Sequence, residues 1–580
     1  MASEWNARRG DWKRAGLARN RRGAALSRRS LLAGTAAGAA AGAFGRFAPG
    51  GIGTPTARAQ DVQPGGTLTY GLSFDFDGTL DPQVTNYDSS IRVMLNVCEP
   101  LLWMATATDF YPALAESWEV SDDGLTYTFH LKKDVKFHDG TPFNADAVKF
   151  TYDRVVEGRN LTAQGKEVDP KKVIVPGQSF NQIDAYDHAE IVDDYTIKLI
   201  LSRPFGGFLT GLNGYLGIVS PTAVEKMGLA DFGRKPVGTG PFMIQEWVDA
   251  DHVTLVKNPD YNWGSSFFKH SGAAYLDQII YKIIPDNAVR TGTLLSGESQ
   301  YVDNVDALQL ADLQENPDLA IIQQGQPGSG DILLFNLART DSPQADIAVR
   351  RALSYAIDKD AFNQAAFGGI YSPAASPLMK PTFGYEPKTE ELYGYDPAKA
   401  ASMLDEAGWT LNGEIREKAG KKLAFYWPIQ DRPDDKAMAT FIQGAFRAVG
   451  ADVTVEPMEH GAFEEKTRTA GDYDLAFMWF SYADPDTLRT IFYSGNIGNF
   501  NVGKYNDPEM DKMLLDAAAS NDPEERQALY SKIQLKVLDE AVTIPLDDTI
   551  TYNGKQASLE GDFLDFLASY VWMNDAHFTQ

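Results

Sequence analysis

The chain has 580 residues, 43% of them hydrophobic and 23% charged, a length and composition that call for about two to four soluble globular domains. Its net charge of −26 is uneven: residues 1–59 carry 11 Lys and Arg against 2 Asp and Glu, leaving 42 against 77, or −35, for the remainder. So acidic a body repels phosphate backbones and anionic lipid surfaces, which argues against nucleic acid as a partner. The one cysteine, Cys98 in LNVCEPLLW, cannot close an intramolecular disulfide or supply a cysteine metal cluster, and reads as a small buried hydrophobe.

The N-terminus reads as an export address. Ser27-Arg28-Arg29-Ser30-Leu31-Leu32 precedes the small apolar run AGTAAGAAAGAF, and Ala57-Arg58-Ala59 fits a small-x-small cleavage site. This predicts a Tat-type signal over 1–59, a mature start near Gln60 and an exported, soluble chain. Cys98 lies too far on to serve as a lipid-attachment cysteine. No stretch reaches the roughly 18 uninterrupted apolar residues that a membrane span needs.

Beyond the signal, a turn at Gln63–Gly66 leads into a short strand, and Ser73–Gly78 is a loop carrying Phe74, Asp75, Phe76 and Asp77. From Gly124 the pattern alternates, with Leu125, Tyr127, Phe129 and Leu131 apolar, which predicts a half-buried strand. His138-Asp139-Gly140-Thr141-Pro142 is a turn, and Asn144 caps a helix with Val148, Tyr152 and Val155 at helical spacing. Residues 157–190 are polar and poorly periodic and predict an elaborated loop. A second alternating strand, Tyr195 to Leu201, runs into Ser202-Arg203-Pro204-Phe205. The glycines of Lys235-Pro236-Val237-Gly238-Thr239-Gly240-Pro241-Phe242 are not a phosphate loop, because Pro241 stands where Walker A needs Lys. A strand region including His252–Val256 follows. QPGSGD at 326–331 marks a boundary by composition, and Leu333–Leu337 is a short strand. Helices start at Asp346, Asp396-Pro397, Asp507-Pro508 and Asp522-Pro523. Strands and helices alternate over 330–545, the pattern of a mixed α/β lobe.

The segment LKKDVKFHDGTPFNADAVKFTYDRV closely resembles that of the extracytoplasmic solute-binding proteins serving peptide and nickel ABC importers, solute-binding family 5. The SRPF turn, the GTGPF turn and the FN…RRAL…AID segment resemble the family as well. The resemblance implies a two-lobed periplasmic-binding-protein fold of the class with an extra domain, mixed sheets with flanking helices around a hinged ligand cleft. The implied organisation is lobe I over 60–105, domain II over 106–233, lobe I again over 234–325, lobe III over 326–545 and lobe I over 546–580. It implies a receptor, acting as a monomer without a cofactor, that closes on a small or peptide-like solute and hands it to a membrane permease driven by a separate ATPase.

For ligand binding the resemblance points to Phe74 and Asp75 in the loop at the cleft mouth, Asn336 of the FN segment, and Trp479, Tyr482 and Asp484 in FMWFSYADPD. The loop of Phe74 and Asp75 reads equally as an ordinary turn, and Asp484 before Pro485 is also a plain turn residue. One departure stands out. Peptide binders of the family place an amine-holding Asp between the cleft Trp and the D-P turn, whereas Phe480, Ser481, Tyr482 and Ala483 here include no carboxylate. Asp75, Asp77 or Asp484 could substitute. The alternative is a carboxylate-based hydrolase on a similar scaffold: the chain lacks HExxH, H-x-H and Gly-x-Ser-x-Gly, but its many acids leave a paired-carboxylate site open.

Overall fold

A computed structural model describes residues 62–579 except 63, 86, 168, 170–172, 175–182, 214, 215 and 568; the expected export signal lies outside the described residues. Val62–Thr162 and Glu167–Gln580 fall into one compact unit. The described part of the other unit is Ala163–Lys166, a helix end and the turn after it.

Strand β1 (Thr67–Leu72) is followed by β2 (Ala115–Val120) and β3 (Thr126–Leu131), where the alternation buries Tyr127, Phe129 and Leu131. Helix α1 (Ala145–Ala163) comes next, with Asn144 Oδ1 accepting from Ala147 N at 3.1 Å as its cap. It extends into the segment expected to be loop. That segment also holds β4 (Tyr186–Asp193), an edge strand whose side chains are mostly exposed, paired with β5 (Thr196–Leu201). The four strands form an antiparallel sheet in the order β2-β3-β5-β4.

A second sheet has seven strands. It takes β6 (Phe242–Val248), β7 (His252–Lys257), β8 (Gln278–Ile283), β9 (Tyr301–Val302) and β10 (Leu319–Gly325). Centred on β1, it is completed by a strand from near the C-terminus, described below.

The third region begins with β11 (Gly328–Phe335) and α2 (Ile347–Tyr355), capped by Asp346. Helix α3 (Pro397–Glu406), β12 (Ala424–Gln430), α4 (Pro433–Ala448) and β13 (Leu475–Ser481) follow. Then come α5 (Pro508–Ala519) and α6 (Pro523–Asp539), both with Pro in the first turn after an Asp cap. The chain ends through β14 (Thr543–Pro545), β15 (Asp547–Asp548) and β16 (Ile550–Gln556). Strands β13, β11 and β14 form an antiparallel sheet, and β15 pairs with Ser372–Pro373. Alternation along β11 sends Leu333 and Phe335 into one apolar cluster and Ile332 and Leu334 into another.

Strand β16 completes the seven-stranded sheet in the order β10-β16-β9-β1-β8-β7-β6. The chain therefore crosses between the seven-stranded and three-stranded sheets twice, between β10 and β11 and between β14 and β16. At these crossings Gln326 N donates to Thr549 O at 3.0 Å and Leu546 N donates to Asp331 O at 2.9 Å.

Two of the segments that carry the family resemblance pack against each other. His138 of the HDGTP turn donates its backbone N–H to Gly238 O at 2.9 Å, and its Nε2 lies 2.9 Å from Gly240 O. Burial lowers the His138 pKa to about 4, so the ring is neutral at physiological pH. Gly240 N in turn donates to Val97 O at 2.9 Å, bringing the glycine turn onto the backbone beside the buried Cys98.

Candidate functional site

The far end of the three-stranded sheet, next to the two crossings, gathers most of the candidate residues. Along β13 the side chains alternate between the two clusters: Leu475 and Phe477 face one, Ala476 faces the other, and Met478 packs against that second cluster. Trp479 continues the face of Phe477 but lies beyond the core, and 52% of it is exposed. Phe480, on the opposite face, meets Phe500 edge-on at 5.2 Å. Tyr482 is half-buried, and its backbone N–H donates to Pro327 O at 3.3 Å, tying the strand end to the first crossing.

Two candidates are buried and bonded within the fold. Asn336 is fully buried at the other end of β11; its Nδ2 donates to Gly471 O at 2.9 Å and Tyr473 O at 2.8 Å, and its Oδ1 accepts from Ala338 N at 3.2 Å. That amide is spent on joining β11 to the start of β13. Asp484 is also fully buried, and its Oδ1 accepts from Arg526 Nη2 at 2.6 Å and from Asp486 N at 2.9 Å. Beside it Arg489 pairs with Asp486 at 2.6 Å. Burial raises the Asp486 carboxyl, opposed by Arg489, and the facing acids hold both arginines above their ordinary range. Each acid thus has an arginine partner, while Asp484 Oδ2 takes no hydrogen bond among the described residues. This network receives the SRPF turn: Phe205 is buried, Gly206 N donates to Ala518 O at 2.8 Å, and a Cβ on Gly206 would overlap the Ser520 carbonyl oxygen.

Phe74 and Asp75 lie on the loop after β1, in the seven-stranded sheet. Phe74 is 54% exposed, and Asp75 Oδ1 accepts from Phe76 N at 2.7 Å in a local turn. Asp77 accepts from the hydroxyls of Thr85 at 2.7 Å and Ser90 at 3.0 Å. Among the described residues no hydrogen bond, ion pair or ring contact joins Phe74 or Asp75 to Trp479.

What the sequence reading missed is Asp331. In the pairing of β11 with β13, Ser329 stands opposite Phe480 and Ile332 opposite Met478, with a bulge between them at Gly330 and Asp331. Asp331 thus sits across from Trp479. Asp547 of β15, from the second crossing, packs beside it: Leu546 N donates to Asp331 O at 2.9 Å, a Cβ on Gly330 would overlap the Asp547 carbonyl oxygen, and each acid raises the other's titration. Burial raises Asp331 to about 7, with Asp435 adding to the rise and Arg432 opposing it; Asp547 is raised by burial and then by Asp331 and Asp548. Within QPGSGD, Asp331 is indistinguishable from a turn residue, and its partner is remote in sequence.

No group of three or more His, Cys, Asp and Glu side chains among the described residues is arranged to hold a metal ion. No described helix is long and apolar enough to cross a membrane.

Two sheets joined by paired strand crossings, with an exposed aromatic beside the junction, place the chain in the class of periplasmic binding proteins. Residues 109–500 match the bacterial extracellular solute-binding proteins, family 5 Middle, and the chain belongs to that family. It is 30% identical to the heme-binding protein A of Haemophilus influenzae over 82% of this chain and 85% of that one. To the glutathione-binding protein GsiB of Pectobacterium atrosepticum it is 30% identical over 87% and 92% of the respective chains. Among solved structures it is similar to NikA from Brucella suis in complex with Fe(III)-EDTA, with a TM-score of 0.76, 26% identity and coverage of 89% of this chain and 100% of that one. The chain is a substrate-binding receptor of the ABC-importer type, and the hydrolase alternative falls.

Proposed function

We propose that the receptor captures its solute between the seven-stranded and three-stranded sheets, beside the paired crossings, with Trp479 as an aromatic wall and Tyr482, Phe74 and Asp75 at the margins. The observation that carries this is the 52% exposure of Trp479 on a strand whose neighbouring side chains are packed. A large aromatic left open at a junction between lobes suits a site that closes on its ligand, and closure would shift the receptor to the form its permease recognises. Two relatives are named for heme and glutathione and the NikA structure is a complex with Fe(III)-EDTA, so family membership alone leaves the solute open.

The segment 480–483 supplies no carboxylate for a peptide ammonium, and Asp484 is consumed by Arg526. A modified peptide, an opine-like conjugate or a sugar fits this better than a simple dipeptide, because a buried ammonium without a charge partner is costly. A thermal-shift screen against these classes, followed by titration calorimetry with unmodified di- to pentapeptides, tests the reading. Submicromolar peptide binding that disappears on acetylating the peptide N-terminus would overturn the ligand choice; silence across the whole panel would count against the capture site itself.

Export through the twin-arginine route to the periplasm, release near Gln60 and action as a monomer complete the proposal. Replacing Arg28 and Arg29 by lysine should strand the precursor in the cytoplasm, and an unchanged periplasmic yield would remove the Tat assignment.

A further inference from the structure

We propose that Asp331 and Asp547 form a seat for a positively charged nitrogen, an ammonium or guanidinium group, on the captured solute, with Trp479 as the adjoining wall. The inference rests on the receptor reading above. Residues 480–483 offer a peptide α-ammonium no anchor, whereas a cation placed elsewhere on a modified peptide or opine-like conjugate finds its charge partner here. This excludes an uncharged sugar.

The seat is built by the two crossings. Asp331 occupies the bulge of β11 opposite Trp479, and Asp547 reaches it from β15. Gly330 makes the approach possible, since a Cβ there would overlap the Asp547 carbonyl oxygen. Asp547 is fully buried; among the described residues its Oδ1 accepts from Thr549 Oγ1 at 3.4 Å and its Oδ2 has no hydrogen-bond partner. Asp331 is half-buried and so offers the open edge of the pair. Among the described residues, no Lys, Arg or His forms an ion pair with either acid. Arg432, whose charge opposes the rise at Asp331, is engaged with Asp435, Nη2 to Oδ1 at 2.9 Å.

A buried acceptor without a donor is costly, and two adjacent carboxyls without a cation cannot both ionise cheaply. A cation on the ligand would satisfy both demands. The charged surroundings do not already do so. From the start of α4, Asp434 and Asp435 add negative potential and Arg432 partly offsets it; Tyr371 faces the pair from the segment before Ser372. Asp548 adds another acid, facing Lys380, Lys359 and Glu390, and Lys359 Nζ donates to Ala374 O at 2.6 Å.

Empty, the pair retains a proton near neutral pH. An arriving ammonium or guanidinium favours the doubly ionised form, so the proton is released to solvent as the cation binds.

The test uses the purified full chain with four small probes: butylammonium and butylguanidinium, with butanol and butylurea as neutral counterparts. At pH 8 and constant ionic strength the cations should raise Tm above their neutral counterparts, and the difference should shrink at pH 5, where the pair is protonated. Asp331→Asn, an isosteric change, should abolish the cation-specific shift. In titration calorimetry near pH 7, buffers of different ionisation heat should show proton release for the cations and none for the neutral probes.

Equal shifts for charged and neutral probes, no shift from either cation, or a shift retained by Asp331→Asn would overturn the proposal. The wild-type pH comparison keeps it falsifiable even if the variant folds poorly. If members of the solute panel bind while the cations do nothing, only the acid seat fails. If the panel is silent as well, the capture reading fails with it.

Discussion

Two groups of carboxylates, all buried except the half-buried Asp331, lie near Trp479, and they differ in one respect. Asp484 and Asp486 each face an arginine at 2.6 Å, Arg526 and Arg489 respectively, within a network that also receives the Arg203–Phe205 turn. Asp331 and Asp547 lie side by side, and among the described residues neither has an ion-pair partner. In the first group each acid's charge is offset by an arginine within the fold. The second carries unneutralised demand at the junction of two sheets, where a solute could answer it. Burial alone does not distinguish a structural acid from one available for binding; counter-charge does.

The strongest way to break the comparison is to unpair the first group. Asp484→Ala leaves Arg526 buried without its partner and should cost about 3–5 kcal/mol in denaturant unfolding. A loss under 1 kcal/mol would mean that the network is solvated and the contrast unfounded.

Asn336→Ala should come next, at about 2–4 kcal/mol, because two carbonyls and an N–H, buried or part-buried, lose their partner. Ligand affinity of the folded variant should stay at the wild-type value. A selective loss of affinity would return Asn336 to the list of binding residues.

Trp479→Ala sharpens the comparison from the ligand side. It should weaken binding by about 1–3 kcal/mol, the worth of a large apolar surface, while far-UV CD stays near wild type. Unfolding at room temperature would show instead that the indole is core.

The smallest effect concerns pH. Asp331 titrates near 7 in the folded chain against an ordinary carboxylate value of 3.8, so the native state holds the proton more tightly than the unfolded state. Stability on this account is fully present below the unfolded value and falls as pH rises toward 7. Asp331→Asn removes the slope, so its unfolding free energy relative to wild type should be higher at pH 8 than at pH 5, by on the order of 1 kcal/mol once the roughly 1.4 kcal/mol per pKa unit is discounted for solvent screening of the half-buried carboxyl. Identical differences at the two pH values would show that the pair is solvated and carries no excess demand.

Local rules were enough wherever one short segment settles its own state. The alternation of Tyr127, Phe129 and Leu131, the Asn144 cap and the Asp-Pro starts of α3, α5 and α6 are legible because a period-two face or a side-chain cap acts within a few residues. The family, too, could be recognised from a few turns. Strand β4 was not legible: at the sheet edge, with most side chains exposed, it shows no apolar period, and pairing with β5 alone makes it a strand. Trp479 could be singled out from its segment, but its exposure depends on where β13 outruns the core. Asn336 and Asp484 carry the residue types of a binding site; their partners, Gly471, Tyr473 and Arg526, are distant in sequence, and only folding commits them to structure. Asp331 is the converse case, a turn-like acid in sequence that becomes one of a pair when the two crossings bring Asp547 against it. Local periodicity and capping are short-range and written in the chain, whereas pairing, counter-charge and burial depend on which remote segments meet.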